Sequence, residues 1–104
     1  MIDLSFTRPD ELLRLLCSRL KKERLAQQLT QAELALRAGL SVNTISSVEA
    51  ARNVSFESII RMAMVLGRSG EIEGLFKPKL DTLHDLERYE ESRSRQRIRK
   101  EKRR

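Results

Sequence analysis

The 104-residue chain has no tryptophan, one tyrosine, one histidine and one cysteine. A single cysteine, Cys17, can form neither an intrachain disulfide nor a multi-cysteine metal site. That fits a reducing compartment and leaves packing within a first helix as its expected role. His84 stands among acids with no second ligand, so a solvated side chain is expected there, with no metal and no cofactor. No nucleophile and base occur together at a meaningful spacing, so the inventory argues against an enzyme. Aromatic residues make up only 4% of the chain, which removes the stacking surfaces by which unpaired RNA bases are held. No stretch approaches the ~20 apolar residues that span a bilayer, and the start lacks the basic-then-apolar order of a secretory signal. A soluble, cytoplasmic protein without membrane contact is expected. At this length about 60% of the surface is buried on folding, which allows one small domain plus a tail and makes dimerisation stabilising.

Charge is what the chain has in abundance, and it is unevenly placed. The formal net charge is +6. From Arg93 onward eight Lys or Arg stand against the single acid Glu101, whereas residues 1–92 hold 13 basic and 14 acidic side chains. Within that nearly neutral body, Lys21, Lys22, Arg24, Arg37 and Arg52 gather in the first half, and Asp81, Asp85, Glu87, Glu90 and Glu91 crowd the later one. A basic face attracts phosphate, and binding that displaces condensed counterions weakens steeply with salt.

The most informative segment is residues 30–52. Thr30 with Glu33 three residues on is a capping box that opens a helix. Leu34, Ala35 and Ala38 form its narrow inner stripe, with Ala35 small where two helices approach closely. Gly39 ends the helix in a left-handed cap, Leu40 plugs the turn, and Ser41 supplies the hydroxyl cap of the next helix. In that helix Ile45 and Val48 are the apolar pair. Val42, Asn43, Thr44, Ser46 and Ser47 point elsewhere, small and mostly polar, able to reach base edges and phosphates without bulk. Two short helices crossing over a tight turn are the spacing of a helix-turn-helix, whose second helix enters a DNA major groove.

The run from Thr30 to Arg52, with Arg24 before it, resembles the DNA-binding domain of phage repressor and Cro-type (XRE) regulators over residues 12 to 76. The likeness rests on the Thr-Gln helix start, Ala35, Gly39, Ile45, Val48 and Glu49 together. It implies an all-α fold of five helices. It also implies that Val42, Asn43 and Ser47 face the bases, that Gln31, Thr44 and Arg52 hold phosphates, and that Arg24 and Glu49 form a structural salt bridge. Asn43 is the foremost candidate for base readout, since an amide can bond adenine twice, and Val42 offers a methyl surface to thymine. The family often carries Asn-Gly or Arg-Gly after the glutamate, where this chain has Ala50 and Ala51. The third helix is therefore expected to run on to Arg52, with Asn53 taking the turn.

Around this segment the domain is expected over residues 9–77. Pro9, Asp10 and Glu11 open a first helix, with Thr7 as its cap and Leu12, Leu13, Leu16, Leu20 and Leu25 as its apolar stripe. Ser55 and Glu57 start a fourth, with Ile59, Ile60, Ala63, Met64 and Leu66 inward. Glu71 to Phe76 reads as a fifth. Residues 1–8 form an N-terminal arm in which Ile2, Leu4 and Phe6 alternate with polar residues, a weak strand signal. Over residues 78–92, Leu80, Leu83, Leu86 and Tyr89 recur every three residues and suggest an amphipathic helix, packed on its own domain or on a partner. Residues 93–104, with Arg93, Arg95, Arg97, Arg99 and Lys100, are too charged to fold alone and are expected as a disordered basic tail.

A Lys-Pro-Lys-Leu-Asp-Thr-Leu segment followed by Arg-Gln-Arg-Ile-Arg-Lys is similar to the extension of HipB-like antitoxins. That resemblance implies a homodimer on palindromic double-stranded operators, repressing its own operon and holding a HipA-like kinase toxin inactive. The alternative is a stand-alone phage or mobile-element repressor. A protein-binding use of the third helix would need an exposed apolar face there, and the polar face argues against it.

Overall fold

Pro9 at the first turn, followed by Asp10 and Glu11, starts α1, Pro9–Ala26. Proline lacks only an amide that has no intrahelical partner at that position, and acids suit the positive helix end. The structure, a computed structural model, describes the backbone of residues 8–102 and the side chains of residues 8–96. The expected N-terminal arm, with Ile2, Leu4, Phe6 and the capping residue Thr7, lies outside the described residues except for Arg8.

Local chemistry accounts for the next boundaries. The Thr30 hydroxyl accepts from the Glu33 amide at 3.0 Å and the Glu33 carboxylate from the Thr30 amide at 3.2 Å, so both halves of the capping box open α2, Gln31–Ala38. These bonds hold the Glu33 carboxyl below its ordinary range. Gly39 then takes φ 68°, and Leu40 donates back to the Ala35 carbonyl at 3.0 Å. Ser41 accepts from the Thr44 amide at 3.0 Å and starts α3, Val42–Glu49. Ser55 does the same from Ser58 at 3.1 Å for α4, Phe56–Val65. The short α5, Ser69–Glu73, and the long α6, Leu83–Lys102, complete an all-helical order with no strand among the described residues.

The chain divides between Glu73 and Gly74 into two compact units, earlier than a cut at Pro78. The first unit carries the core: Cys17, Leu29, Leu34, Ala35, Ile45, Val48, Met62 and Leu66, flanked by Leu13, Leu20, Leu40, Ala51, Val54, Ile59 and Val65. Helix α2 packs on α3 and α4, α3 also on α1 and α4, and α4 on α5. Helices α2 to α5 are each ten residues or fewer, so their stability comes from this shared burial more than from helix propensity.

Five expectations are corrected. In α1 the inward line is Leu13, Cys17, Leu20 and Arg24, while Leu16 and Leu25 are 44% and 55% exposed. Leucine content pointed to the wrong phase because one inward position is a cysteine and another an arginine. In α4 it is Met62 that is fully buried and Met64 that is 62% exposed, with Ser58 inward as well. Helix α3 closes at Glu49 instead of running to Arg52. Ala51 and Asn53 both adopt left-handed φ, 56° and 48°, and the early turn brings Ala51 and Val54 back onto the core. The fifth helix begins at Ser69 and stops at Glu73, before Phe76, which has φ 57°. Finally, the backbone of residues 93–102 is helical, continuous with the amphipathic segment, instead of an irregular tail. Ion pairs one turn apart, Arg93 with Glu90 and Arg95 with Glu91, and cations at a helix C-terminus favour that continuation.

Gly39 is where the turn between α2 and α3 depends on residue type. A Cβ there would lie 3.3 Å from Arg61 Nη1, whose guanidinium donates to the Ala38 carbonyl at 3.4 Å. Gly39→Ala should lower stability by roughly 1–2 kcal/mol, the penalty of a side chain in the left-handed region, read as a lower urea midpoint with unchanged slope.

Candidate nucleic-acid interface

Helix α3 is oriented by what it buries. Ile45 and Val48 are fully enclosed, and at about 100° per residue the opposite face falls to Asn43, Ser46 and Ser47, with Ala50 at the cap. Val42, Asn43 and Ala50 are exposed, and Thr44, Ser46 and Ser47 are half-buried. The outer face therefore carries nothing larger than an asparagine or a valine. Ser46 and Ala50 belong to this surface although the expected base-facing set omitted them; the helical period alone would have placed them there.

A buried polar node fixes that face relative to the other helices. Arg24 of α1 donates through Nε to Glu49 Oε2 at 2.6 Å and through Nη2 to Oε1 at 3.0 Å. Its remaining nitrogen, Nη1, donates to the Leu29 carbonyl at 2.8 Å, while the Leu29 amide returns to the Arg24 carbonyl at 3.1 Å. Gln31, the first residue of α2, donates Nε2 to Glu49 Oε1 at 3.0 Å. The side chains of Arg24 and Glu49 are only 7% and 3% exposed. One carboxylate at the end of α3 thus gathers α1, the turn after it and the start of α2. Among the described residues no buried side-chain nitrogen or oxygen lacks a hydrogen-bond partner.

The node leaves its mark on both titrations. Hydrogen bonding to Glu49, with its charge, raises the Arg24 guanidinium despite burial. Burial pushes the Glu49 carboxyl up, but hydrogen bonds from Arg24 and Gln31 and the charges of Arg24 and Lys21 outweigh it and hold the group below its ordinary range.

The remaining site candidates are spread over several elements. Gln31 has one amide N–H committed to Glu49, so its side chain is a tie between helices before it is anything else. The Thr44 hydroxyl lies 2.8 Å from that of Ser41. Arg52 is exposed just past α3, its amide donating to the Ser47 carbonyl at 2.8 Å. Arg93 and Arg95 pair with Glu90 and Glu91 at 3.5 and 3.6 Å; the side chains of Arg97, Arg99 and Lys100 lie outside the described ones. A second tie closes the domain: Arg68 binds Glu71 and, at 2.7 Å, Glu23, while Gln27 donates to the Leu66 carbonyl at 2.8 Å. Among the described residues no cluster of acids, histidines and cysteines could hold a metal, and no helix is long and apolar enough to cross a membrane.

A family model described as Helix-turn-helix matches residues 20–72, just over half of the chain, from the second half of α1 into α5. The chain belongs to the helix-turn-helix family of XRE type, a class of DNA-binding transcriptional regulators. No curated protein matches the chain.

Breaking the node from one side strands a buried charge. Glu49→Ala should cost about 3 kcal/mol, whereas Arg24→Met combined with Glu49→Leu should cost less, both read from chemical denaturation. The pH dependence follows from the lowered Glu49 carboxyl. Between the folded and unfolded values the unfolded chain binds more protons, so the pair's contribution is complete above the unfolded value of ~4.3 and is lost as pH falls through the folded one. Below that unfolded value the thermal midpoint of the parent should drop more steeply than that of Glu49→Gln.

Proposed function

We propose that the chain is a cytoplasmic, sequence-specific repressor that binds a two-fold symmetric operator as a homodimer. In this reading α3 lies in the major groove. Asn43 bonds a base edge, Val42 meets a thymine methyl and Ser47 completes the readout. Thr44 and Arg52 hold phosphates. Gln31 contributes its second amide N–H, the first being given to Glu49. The observation that carries the reading is the outer face of α3: small and mostly polar, exposed at Val42, Asn43 and Ala50 and half-buried at Ser46 and Ser47, on a helix whose apolar pair is buried and whose end is clamped by Arg24 and Glu49. Bulk on that face would keep the helix from the groove floor, and an apolar one would suit a protein partner.

The narrower reading is an autorepressing antitoxin of a HipA-like kinase. Its support is the similarity of residues 77–83 and 95–100 to the HipB-like extension, together with a second compact unit beyond the reading domain, from Gly74 onward, available to a partner. Co-purification with a kinase encoded beside it, and loss of that complex on removal of α6, distinguish this from a stand-alone phage or mobile-element repressor.

Selection of bound sites from random duplex DNA should return a palindromic consensus. Asn43→Ala should then weaken binding to that consensus by ~1–3 kcal/mol while leaving the melting temperature unchanged. Recovery of no consensus, or equal binding by parent and variant, would refute the assignment of α3 as reader.

A further inference from the structure

Helix α6 is electrically polarised along its axis. Its first half holds Asp85, Glu87, Glu90 and Glu91 against Arg88; its second holds Arg93, Arg95, Arg97, Arg99, Lys100 and Lys102 against Glu101 alone. The backbone is continuous across the change, so these cations stand on a rod. Six of them against Glu101 leave five net charges over ten residues, which at a rise of about 1.5 Å per residue is one positive charge per roughly 3 Å. Duplex DNA carries one negative charge per ~1.7 Å of its axis. The two linear charge densities are comparable. Moreover, the four arginines alternate with other residues, and a step of two on a helix turns each about 200° from the last. Register positions on both flanks of the rod are therefore basic, which suits a helix lying between two phosphate strands.

The other polyanions fit less well. Ile98 is the lone apolar residue of 92–102, so no face could enter a bilayer. That stretch also lacks any aromatic to stack on unpaired bases. The ion pairs that engage Arg93 and Arg95 are long, at 3.5 and 3.6 Å, and solvent-exposed on both sides, so they yield readily to phosphate.

We propose that residues 93–102 form a second, sequence-independent contact with duplex DNA, a helical basic arm on the phosphates of the duplex bound by α3. The arm rests on the DNA-reading role proposed above for α3, adds affinity without base preference, and accounts for why nearly all of the excess positive charge lies outside the domain that reads sequence.

The test uses the full chain and the quadruple variant R93Q/R95Q/R97Q/R99Q, since glutamine matches arginine in helix propensity. Far-UV circular dichroism establishes that helix content is kept. Affinity for a mixed-sequence duplex is then measured against salt concentration. The slope of log K on log salt should fall in magnitude by up to ~3.6, or ~0.9 for each phosphate that is no longer neutralised. Asn43→Ala, with the arm intact, should keep the parental slope while losing selection among sequences. An unchanged slope in the quadruple variant, beside Asn43-dependent selection, overturns the arm and leaves the α3 reading standing. A weakening confined to single-stranded RNA, or to vesicles of anionic lipid, likewise overturns it. A full chain that ignores every duplex at low salt overturns both.

Discussion

The ion pair between Arg24 and Glu49 is the constraint on which the first unit depends. Two charges taken out of water are costly, and their attraction offsets that cost only when geometry is good and the remaining donors and lone pairs are engaged. Both conditions are met. The guanidinium meets the carboxylate through two nitrogens and spends the third on the Leu29 carbonyl, and the carboxylate takes a further bond from Gln31. A hydrophobic pair of the same volume would fill the space but would not fix an angle. The fork of an arginine against a carboxylate does. It sets where the end of α3 lies relative to α1 and the start of α2, and through that which of its residues face outward.

The rest of the domain supports the same geometry. Gly39 allows a turn tight enough for α2 and α3 to share Leu34, Ala35, Ile45 and Val48 as one core, and Arg61 secures the carbonyl end of α2 from α4. Arg68 and Gln27 tie the end of α1 to the turn between α4 and α5. With helices of eight to ten residues in α2, α3 and α4, none is stable by itself. The outer face of α3 therefore exists only as a property of the assembled domain. Charge is organised separately. Residues 1–92 are close to neutral, with 13 basic and 14 acidic side chains, and the positive excess lies in residues 93–104, eight Lys or Arg against Glu101.

Much of this was legible in the residues. The capping box at Thr30 and Glu33, the left-handed cap at Gly39 and the hydroxyl cap at Ser41 are local, each satisfied within a few residues, and each occurs where the pattern places it. The outer face of α3 was legible for the same reason, because burying Ile45 and Val48 dictates the other side by helical period. The errors concern phase and extent. Leucines in α1 suggested a stripe through Leu16 and Leu25, but the inward positions include Cys17, which joins the apolar core, and Arg24, which is buried against Glu49. In α4 the choice between Met62 and Met64 depends on which flank meets α2. The end of α3 is decided by the need to return Ala51 and Val54 to the core. Composition made the basic tail look unfoldable, yet the helical backbone of α6 continues through it to Lys102.

The sequence by itself determined the helical class, the turn between α2 and α3, and the small polar character of the surface beyond it, since these rest on interactions spanning three or four residues. Only the tertiary structure decided that Gln31 is first a partner of Glu49, how deeply the Arg24–Glu49 pair is buried, and where α3 stops. Each of those outcomes is set by groups 18 or 25 residues apart in the chain, or by packing against helices whose placement no local pattern encodes. Burial and desolvation act on neighbours in space, and those neighbours exist only after the chain has folded.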